Sequence, residues 1–452
     1  MSEQNPAAGS TRRAFLTALT AASYRRILGA NDRIQIGFIG YGLINLRHVA
    51  DFRKMADVDC AAICEVYQPR LEAGLAACGP GAKGYADFRK MYENKDIQAV
   101  VVGTPDHWHA LQNILACEAG KDVYVEKPVS LFVKEGRWMV TAARRFKRVV
   151  TTGTQRKTSP HVKASQEFIA SGGIGKVHSV RSGSFRNVYP GFGKTPEGPP
   201  PPGFDYDMWL GPAPKRPYSQ HRSLYHFRWF WDYSGGQMTN LATHDIDRIQ
   251  FVMNVQSPTL IYSTGGRFCL EDDGETPDTQ DALFNYPGFT LLFSLREGNG
   301  QADGAGMRFY GTKGTAVLSE KSFEILPDMK NDPVNLIPGF YGHPPGGPVF
   351  TKVKPVPWIE PYKQESGEDP LLLNKRDWLD AIRSRRTPLC DIEIGHRVST
   401  ACHLANISLK LGRALRWDPE KEEVIGDREA NAMLVRPYRK PWDEVLTRLK
   451  LS

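Results

Sequence analysis

Residues 33–45 read Arg-Ile-Gln-Ile-Gly-Phe-Ile-Gly-Tyr-Gly-Leu-Ile-Asn, and this stretch decides the first half of the fold. Its apolar part, residues 33–39, predicts a short buried strand, and residues 46–54 predict a helix. Between them lies the glycine pattern of a strand–turn–helix unit that binds a dinucleotide. Gly40 permits the tight turn, and Gly42 lets the backbone approach a pyrophosphate. The free N–H groups at the start of the helix then face that anion.

The end of this motif and the next strand refine the prediction. Asn45 stands at the third glycine position, which governs close packing of helix on strand, and a small polar residue can fit there. A second strand over residues 58–66 carries Glu65 near its end, where an acidic residue binds the adenosine ribose hydroxyls. A carboxylate repels a 2′-phosphate, so the residues favour NAD over NADP, although Arg70 nearby weakens that preference.

A third unit follows the same pattern. Residues 97–102 predict a buried strand that runs into Gly-Thr-Pro-Asp-His-Trp-His at 103–109, and a helix is predicted over 110–119. The strand 122–125 is closed by Glu-Lys-Pro at 126–128. Alternating strands and helices predict a parallel sheet that binds ligands at the carboxyl ends of its strands, where both loops fall.

The order of these motifs resembles the Gfo/Idh/MocA family (glucose–fructose oxidoreductase/inositol dehydrogenase). Residues 104–109 match its Thr-Pro-x-x-x-His motif, and residues 126–128 match its Glu-Lys-Pro motif in order and spacing. In that family the lysine lies near the nicotinamide and the reacting carbinol, which implies a catalytic role for Lys127. Such a cation stabilises a developing alkoxide, and a lysine of lowered pKa can relay the proton.

Cofactor contacts are therefore expected at Gly40, Gly42, Leu43, Ile44, Asn45, Glu65, Thr104, Pro105, His107, His109, Glu126 and Lys127. The two histidines also raise the question of a metal ion. A metal site needs about four ligands, and no third or fourth is near them in the sequence, so none is expected.

The rest of the chain predicts a second domain. A helix over 159–171 ends at two glycines, a C-cap signal. Strand-like segments follow at 177–187, 259–268, 281–286, 289–296, 306–310 and 315–318. The predicted fold class is α/β. An N-terminal Rossmann dinucleotide-binding domain spans 31–153, and a C-terminal α+β domain with a large, mainly antiparallel sheet spans 154–452. The second domain would bind substrate and form oligomer contacts, and it ends in a helical tail. That tail resembles those of many bacterial, often exported, family members.

A second active-site element is implied by the resemblance. Two glycines at 235–236 precede a predicted helix that ends in His-x-x-Asp at 244–247. The family commonly has Asp four residues before the histidine, on the same helix face, and here that residue is Asn240. His244 is the candidate acid or base, because a histidine pKa lies near working pH. An amide cannot relay a proton, so Asn240 is expected to orient a sugar hydroxyl.

Further side chains suit a sugar, because aromatic rings stack on pyranose faces and polar groups bind hydroxyls. The candidate substrate residues are Arg156, Tyr189, Trp209, Arg228 and Trp229.

Composition limits the other possibilities. The 452 residues carry a net charge of +8, but part of it lies in the first 30 residues and the remaining Lys and Arg are scattered. Nucleic acid is therefore not expected as a partner. No apolar run reaches the roughly 18 residues of a membrane span. Seven cysteines without a CxxC pair predict neither a disulfide framework nor a zinc site.

The N-terminus points to export. Residues 10–16 read Ser-Thr-Arg-Arg-Ala-Phe-Leu, and a run of small residues follows. This resembles a twin-arginine signal, so residues 1–30 are expected to form a signal or tail and the protein to be periplasmic or secreted. That route carries folded proteins, which suits a cofactor loaded in the cytoplasm.

Three functions remain open. The first is hydride transfer between the nicotinamide and a carbinol of a sugar or polyol. Free NAD is scarce outside the cytoplasm, so an exported enzyme would hold its cofactor tightly and recycle it, as in a dismutation of two sugars. The second is NAD-dependent glycoside hydrolysis by transient oxidation, elimination, water addition and re-reduction, with His244 or a tyrosine such as Tyr189 as base. The third is a non-catalytic NAD-binding protein; the intact Glu-Lys-Pro argues against it and Asn240 mildly for it. A homo-oligomer is expected from the resemblance.

Overall fold

The computed structural model describes residues 33–302, 306–330 and 356–451. The predicted export signal at residues 1–30 lies outside the described residues.

The first domain is a six-stranded parallel sheet covered by helices. Its strands lie in the order β3-β2-β1-β4-β5-β6, the order of dinucleotide-binding folds. The elements are β1 Ile34–Ile39, α1 Leu43–Phe52, β2 Val58–Cys64, α2 Gln68–Cys78, β3 Lys83–Tyr85, α3 Phe88–Glu93, β4 Ala99–Val102, α4 Asp106–Glu118, β5 Asp122–Val125, α5 Val133–Arg145 and β6 Val150–Thr152. Every residue of β4 and β5 is buried, as expected for strands that helices cover on both faces.

The second domain is built on a ten-stranded sheet in the order β16-β15-β14-β13-β7-β12-β11-β10-β17-β18. Only β7 and β12 pair in parallel; the other pairs are antiparallel. The strands are β7 Val177–Phe185, β10 Leu260–Gly266, β11 Thr279–Tyr286, β12 Phe289–Arg296, β13 Met307–Gly311, β14 Gly314–Leu318, β15 Ser322–Pro327, β16 Tyr362–Glu365, β17 Leu415–Asp418 and β18 Glu423–Val424; β8 Glu197–Gly198 and β9 Tyr218–Ser219 pair separately. The predicted fold class is confirmed.

The remaining helices are α6 Pro160–Ala170, α7 Tyr206–Leu210, α8 Gly236–Asn240, α9 Ala242–Val252, α10 Pro370–Ser384, α11 Ile392–Leu411, α12 Arg428–Ala432 and α13 Asp443–Arg448. Of these, α10 and α13 pack against the first domain. Residues of α9 and α11 share one apolar core with alternate residues of the central strands, the period-two pattern of a sheet with one covered face. Among the described residues, no helix is both long and apolar enough to cross a membrane.

Two predicted helices differ from those observed. The helix expected from residue 110 begins at Asp106, because Pro105 precedes it with φ of −61° and Asp106 occupies its first turn, next to the positive end of the helix dipole. His107 and His109 therefore lie inside α4 and not in a loop. The helix expected to carry both Asn240 and His244 is divided between α8 and α9.

Candidate active site

A cavity of about 570 Å³ is lined by residues of both domains. Ile39, Cys64, Gly103 and Glu126 line it, each at or directly after the carboxyl end of a strand of the parallel sheet. Open α/β sheets bind their ligands at this edge, and the volume lies in the range of cofactor sites.

The two glycines of the first turn have different reasons to be glycine. Gly40 has a φ of +78°, and a Cβ there would lie 3.1 Å from Thr104 Cγ2. Gly42 has a φ of −87°, and a Cβ there would meet only Arg70, at 4.0 Å. The protein itself therefore leaves room at Gly42, which lines the cavity. This is the space that a pyrophosphate close to the backbone would occupy.

The start of α1 completes this phosphate-binding geometry. Leu43 and Ile44 form its first turn and line the cavity. Gly42 is the N-cap, and the first turn contains no acidic residue. The N–H groups at the helix start therefore face the cavity without a competing carboxylate, as an anion requires.

Asn45 supports the turn from behind. Its Nδ2 donates to the carbonyl oxygens of Ile39 at 3.0 Å and Gly40 at 2.6 Å. A Cβ at Gly103 would lie only 2.6 Å from the Asn45 Oδ1. The Asn45 side chain, at the third glycine position, thus fits because Gly103, directly after the neighbouring strand, has no side chain. Asn45 is not among the residues that line the cavity.

We expect Gly103→Ala to destabilise the protein by about 1–3 kcal/mol, because the added methyl overlaps the Asn45 amide. Adding Asn45→Gly to Gly103→Ala removes that overlap. Urea unfolding of the two single variants and the double variant measures the coupling. If Gly103→Ala costs the same stability in the parent protein as in the Asn45→Gly background, the two residues are not in contact.

Glu65 lies at the end of β2 with its carboxylate held by backbone N–H groups. Its Oε2 accepts from Tyr41 at 2.7 Å, and its Oε1 accepts from Val66 at 2.8 Å and Tyr67 at 3.0 Å. A carboxylate oxygen has two lone-pair sites, so Oε2 keeps one for a ribose hydroxyl. Arg70 lines the same cavity, and the preference for NAD over NADP stays a prediction.

Lys127 and Asn240 meet in the cavity across the domain boundary. The Lys127 Nζ donates to the Asn240 Oδ1 at 2.6 Å and to its backbone oxygen at 3.0 Å. Burial lowers the pKa of Lys127 to about 8, against the opposing pull of Glu126. The Asn240 Nδ2 donates to Gln237 Oε1 at 2.8 Å. The amide expected to orient a sugar hydroxyl is thus already engaged, and it positions the lysine.

The division between α8 and α9 has a local cause at this contact. In a continuous helix the Asn240 carbonyl would accept from the His244 N–H. Instead the His244 N–H donates to Leu241 at 3.2 Å, and the Asn240 carbonyl accepts from Lys127. The break in the helix leaves the Asn240 carbonyl free to accept a hydrogen bond from the Lys127 ammonium.

Both carboxylate oxygens of Glu126, the residue before Lys127, are hydrogen-bonded. Its Oε1 lies 2.9 Å from His48 Nε2, and its Oε2 accepts from the Lys127 backbone N–H at 3.1 Å. A Cβ at Gly153 would lie 2.6 Å from Oε2. Burial raises the pKa of Glu126, but the contact with His48 outweighs it and the pKa is lowered. Glu126 lines the cavity as a fixed carboxylate.

The expectation that the pKa of His244 lies near working pH is wrong. Burial lowers it well below the usual value, and Lys127 and Arg156 add to the effect. His244 is 6% exposed, and its Nδ1 has no hydrogen-bond partner among the residues that the structure describes. It is not among the residues that line the cavity. At neutral pH it is an uncharged imidazole, which can share a hydrogen bond but is a weak base.

A segment of the second domain, residues 203–230, covers the cavity and was largely missed by sequence reasoning. Trp209 and Arg228, both predicted, line the cavity. The lining residues not predicted include Phe204, Met208, Leu224, Tyr225 and Phe227 from this segment, and Asp106 and Trp108 from α4. The density of aromatic residues near position 225 was the available signal.

Backbone bonds fasten this covering segment to the first domain. Gln68 N–H donates to the Gly203 carbonyl at 2.8 Å, and Asp205 N–H donates to the Val66 carbonyl at 2.9 Å. The Trp209 carbonyl accepts from Trp108 Nε1 at 2.9 Å. These contacts join the two domains beside the cavity.

Two predicted cofactor residues lie behind the cavity wall. The His107 ring is hydrogen-bonded to the Trp209 carbonyl at 2.9 Å. The His109 ring is hydrogen-bonded to Pro128 at 2.7 Å and Thr104 at 2.9 Å, so it joins the two motif loops. Thr104 and Pro105 do line the cavity. In the part of the chain that the structure describes, no three His, Cys, Asp or Glu side chains are grouped to hold a metal.

Three predicted substrate residues also lie elsewhere. Tyr189 is 58% exposed, and the Trp229 indole donates to Glu297 at 2.8 Å in a buried contact. Arg156 pairs with Glu320 at 2.8 Å and lines a second cavity. None of the three lines the cavity that contains Lys127.

Comparison with known proteins identifies the family. Residues 34–154 match the model of the oxidoreductase family, NAD-binding Rossmann fold. Residues 162–262 and 342–444 match its C-terminal alpha/beta domain, and residues 214–317 match a second GFO/IDH/MocA C-terminal domain model. The chain belongs to the Gfo/Idh/MocA family. The first domain is therefore an NAD-binding Rossmann domain, as predicted.

Relatives within the family are distant. Myo-inositol 2-dehydrogenase of Thermotoga maritima is 24% identical over 250 residues, which cover 55% of this chain and 64% of that protein. A glycosyl hydrolase family 109 protein of Shewanella sp. (strain W3-18-1) is 32% identical over 122 residues, 25% of this chain and 27% of that protein. The alignment thus spans less than two thirds of these relatives.

Solved structures share the fold. The WlbA dehydrogenase from Bordetella pertussis, in complex with NADH and UDP-GlcNAcA, has a TM-score of 0.62 at 18% identity, covering 85% of this chain and 99% of that one. Levoglucosan dehydrogenase, in complex with NADH and levoglucosan, has a TM-score of 0.63 at 16% identity with the same coverage.

Proposed function

We propose that this family member is an NAD-dependent oxidoreductase that transfers a hydride between the nicotinamide and a carbinol of a sugar or polyol. The observation that carries the proposal is the half-buried Lys127, with a pKa lowered to about 8, held by Asn240 in the wall of an NAD-sized cavity. Few structural roles call for a lysine of depressed pKa in such a place.

NAD fits the cavity on three counts: the open space at Gly42, the unopposed start of α1 and the oriented Glu65. When bound, it supplies the hydride acceptor or donor. In the oxidation direction the neutral amine of Lys127 takes the proton of the carbinol hydroxyl. In the reduction direction its ammonium returns that proton.

Neighbouring residues keep this lysine in place. The two oxygens of Asn240 fix the position of Nζ, and Arg228 adds a second cation to the cavity wall. A neutral His244 would serve as a hydrogen-bonding group rather than as the main base. Lys127 thus carries the proton transfer in the proposed reaction.

The covering segment 203–230 favours a tightly held, internally recycled cofactor. Its aromatic residues line the cavity and its hydrogen bonds join it to the first domain, so it adds contacts that can hold a bound nucleotide. Retention suits the proposed export through the twin-arginine route, which rests on Arg12 and Arg13. Immunodetection of the full chain in periplasmic and cytoplasmic fractions tests that location, and a homo-oligomer is tested by light scattering.

The second candidate is an NAD-dependent glycoside hydrolase. The match to a glycosyl hydrolase family 109 protein, 32% identical over 122 residues, favours it. Glu65 and Glu126 line the cavity but are held by other groups, so the usual pair of free carboxylates is not available from them. Transient oxidation needs no such pair.

Purified protein without added cofactor distinguishes these functions. It is incubated with p-nitrophenyl glycosides and with free sugars, and absorbance is followed at about 340 nm for reduced cofactor. Accumulation of NADH or an oxidised sugar, with glycosides untouched, supports the oxidoreductase. Repeated release of p-nitrophenol without net NADH supports the glycosidase. No turnover with either panel, and no nucleotide released on denaturation, would contradict both and return the non-catalytic alternative.

A further inference from the structure

The cavity contains three carboxyl groups, and they differ in how they are bound. Glu65 and Glu126 have both of their oxygens in hydrogen bonds. Asp106, at the start of α4, accepts through Oδ2 from the Ser234 hydroxyl. No described group hydrogen-bonds to its Oδ1. Among the described residues, Oδ1 of Asp106 is therefore the one oxygen of these three carboxyl groups that accepts no hydrogen bond.

Asp106 lies in the cationic part of the cavity wall. Its charge interacts with those of Lys127 and Arg228, which line the same cavity, and with His109 behind it. Its side chain is only 5% exposed. Burial raises its pKa against the attraction of these groups. Such a placement is unusual for a residue that merely begins a helix, where Asp normally faces solvent.

Among the described groups that hydrogen-bond to Lys127 Nζ, none can take up a proton. Asn240 accepts hydrogen bonds from Nζ but cannot take up a proton. The carboxylate of Glu126 contacts the Lys127 backbone and His48, not Nζ. A lysine that receives a proton in each oxidation must lose it again before the next one, and a carboxylate in the same cavity can receive it.

We propose that Asp106 is a positioning residue for proton transfer, which sets the charge state of Lys127 in place of a carboxylate at position 240. The inference rests on the proposed function. In oxidation the carbinol loses a hydride to the cofactor and a proton to the Lys127 amine. Asp106 stabilises the resulting ammonium and accepts the proton when it leaves, through water, so that the amine is restored and one proton is released to solvent.

Asp106→Asn tests this role because the amide keeps the shape and can still accept from Ser234. The pKa of Lys127 is measured in the cofactor-free chain by NMR of ¹³Cε-lysine, with Lys127→Arg identifying the signal. We expect a value of about 8 in the parent chain, a decrease of about 1 in Asp106→Asn and an increase in Asn240→Asp. The other charges that act on Lys127 are those of Glu126, Arg228 and Arg156.

The double variant Asp106→Asn/Asn240→Asp separates charge from shape. We expect Asp106→Asn to lower kcat about 100-fold and to shift the pH profile to lower pH, and the added carboxylate at 240 to restore at least a tenth of the parent rate. Asp427→Asn, at the N-cap of α12, is the matched control and should change neither readout.

The outcomes are distinct for the two proposals. An unchanged Lys127 pKa in Asp106→Asn, or an unchanged pH profile with lost stability, overturns the role of Asp106 and leaves the oxidoreductase in place. If the parent chain shows no NAD-linked turnover, the proposed function fails, and with it the proton transfer. If Asp106→Asn does not fold, the rise of the Lys127 pKa in Asn240→Asp is still required, and its absence overturns the inference.

Discussion

Replacing Lys127 with alanine should lower kcat of the NAD-linked reaction by about 10³-fold, with a smaller effect on cofactor affinity. The ammonium is the group placed to stabilise the alkoxide and to exchange its proton, and such groups contribute about 10²–10⁴-fold. Lys127→Arg keeps the charge but not the depressed pKa, and should also be impaired because an arginine does not release its proton. Lys90→Ala, at an exposed surface pair with Glu93, is the control.

The pH profile should identify the same group. Burial lowers the pKa of Lys127 to about 8. Oxidation needs the neutral amine, so kcat/KM for the alcohol should rise with pH through about 8 and level off above it. Reduction needs the ammonium, so its rate should fall over the same range. Full turnover in Lys127→Ala, or profiles without opposite slopes, would show that Lys127 does not carry the proton.

Replacing Gly42 with valine should weaken NAD binding by at least about 100-fold, a change of about 2.7 kcal/mol, with little change in Tm of the cofactor-free protein. The backbone at Gly42 has a φ of −87°, and a Cβ meets only Arg70 at 4.0 Å. The side chain would therefore fill the space of the pyrophosphate without disturbing the fold. Calorimetric titration with NAD and thermal unfolding measure the two effects.

Gly40→Ala is the contrasting variant at the same turn. Its φ of +78° is unfavourable for any residue with a Cβ, and that atom would lie 3.1 Å from Thr104. The Gly40→Ala protein should lose about 1–2 kcal/mol of stability, and it should also bind NAD more weakly. If Gly42→Val instead lost stability and kept its affinity for NAD, the phosphate would not lie at this turn.

Local sequence signals were reliable where one residue type has one physical reason to be there. Gly40 has a positive φ, as its place in the tight turn requires. The predicted apolar runs form β1, β2, β4 and β5 within a few residues of their predicted bounds. Lys127 follows the carboxyl end of β5. This is the edge at which a parallel sheet binds its ligands. These features follow from backbone sterics and periodicity, which act over a few residues.

Contacts between distant segments were not readable in this way. Lys127 meets Asn240, 113 residues away, and the helix that the resemblance implied as continuous is divided at this contact. Asn45 fits because Gly103 lies opposite it. His107 and His109 look like loop residues by their position in the motif, but Pro105 and Asp106 begin α4 early enough to bury them.

The sequence by itself determined the Rossmann motif, the NAD cofactor, the membership of an oxidoreductase family and the lysine at the end of β5. Only the tertiary structure decided which side chains share the cavity with that lysine. In that structure Asp106 lines the cavity, whereas Trp229 and Tyr189 do not. Burial also lowers the pKa of His244. The reason is physical: burial and neighbouring charges set pKa values and hydrogen bonds, and both arise only when the two domains pack against each other.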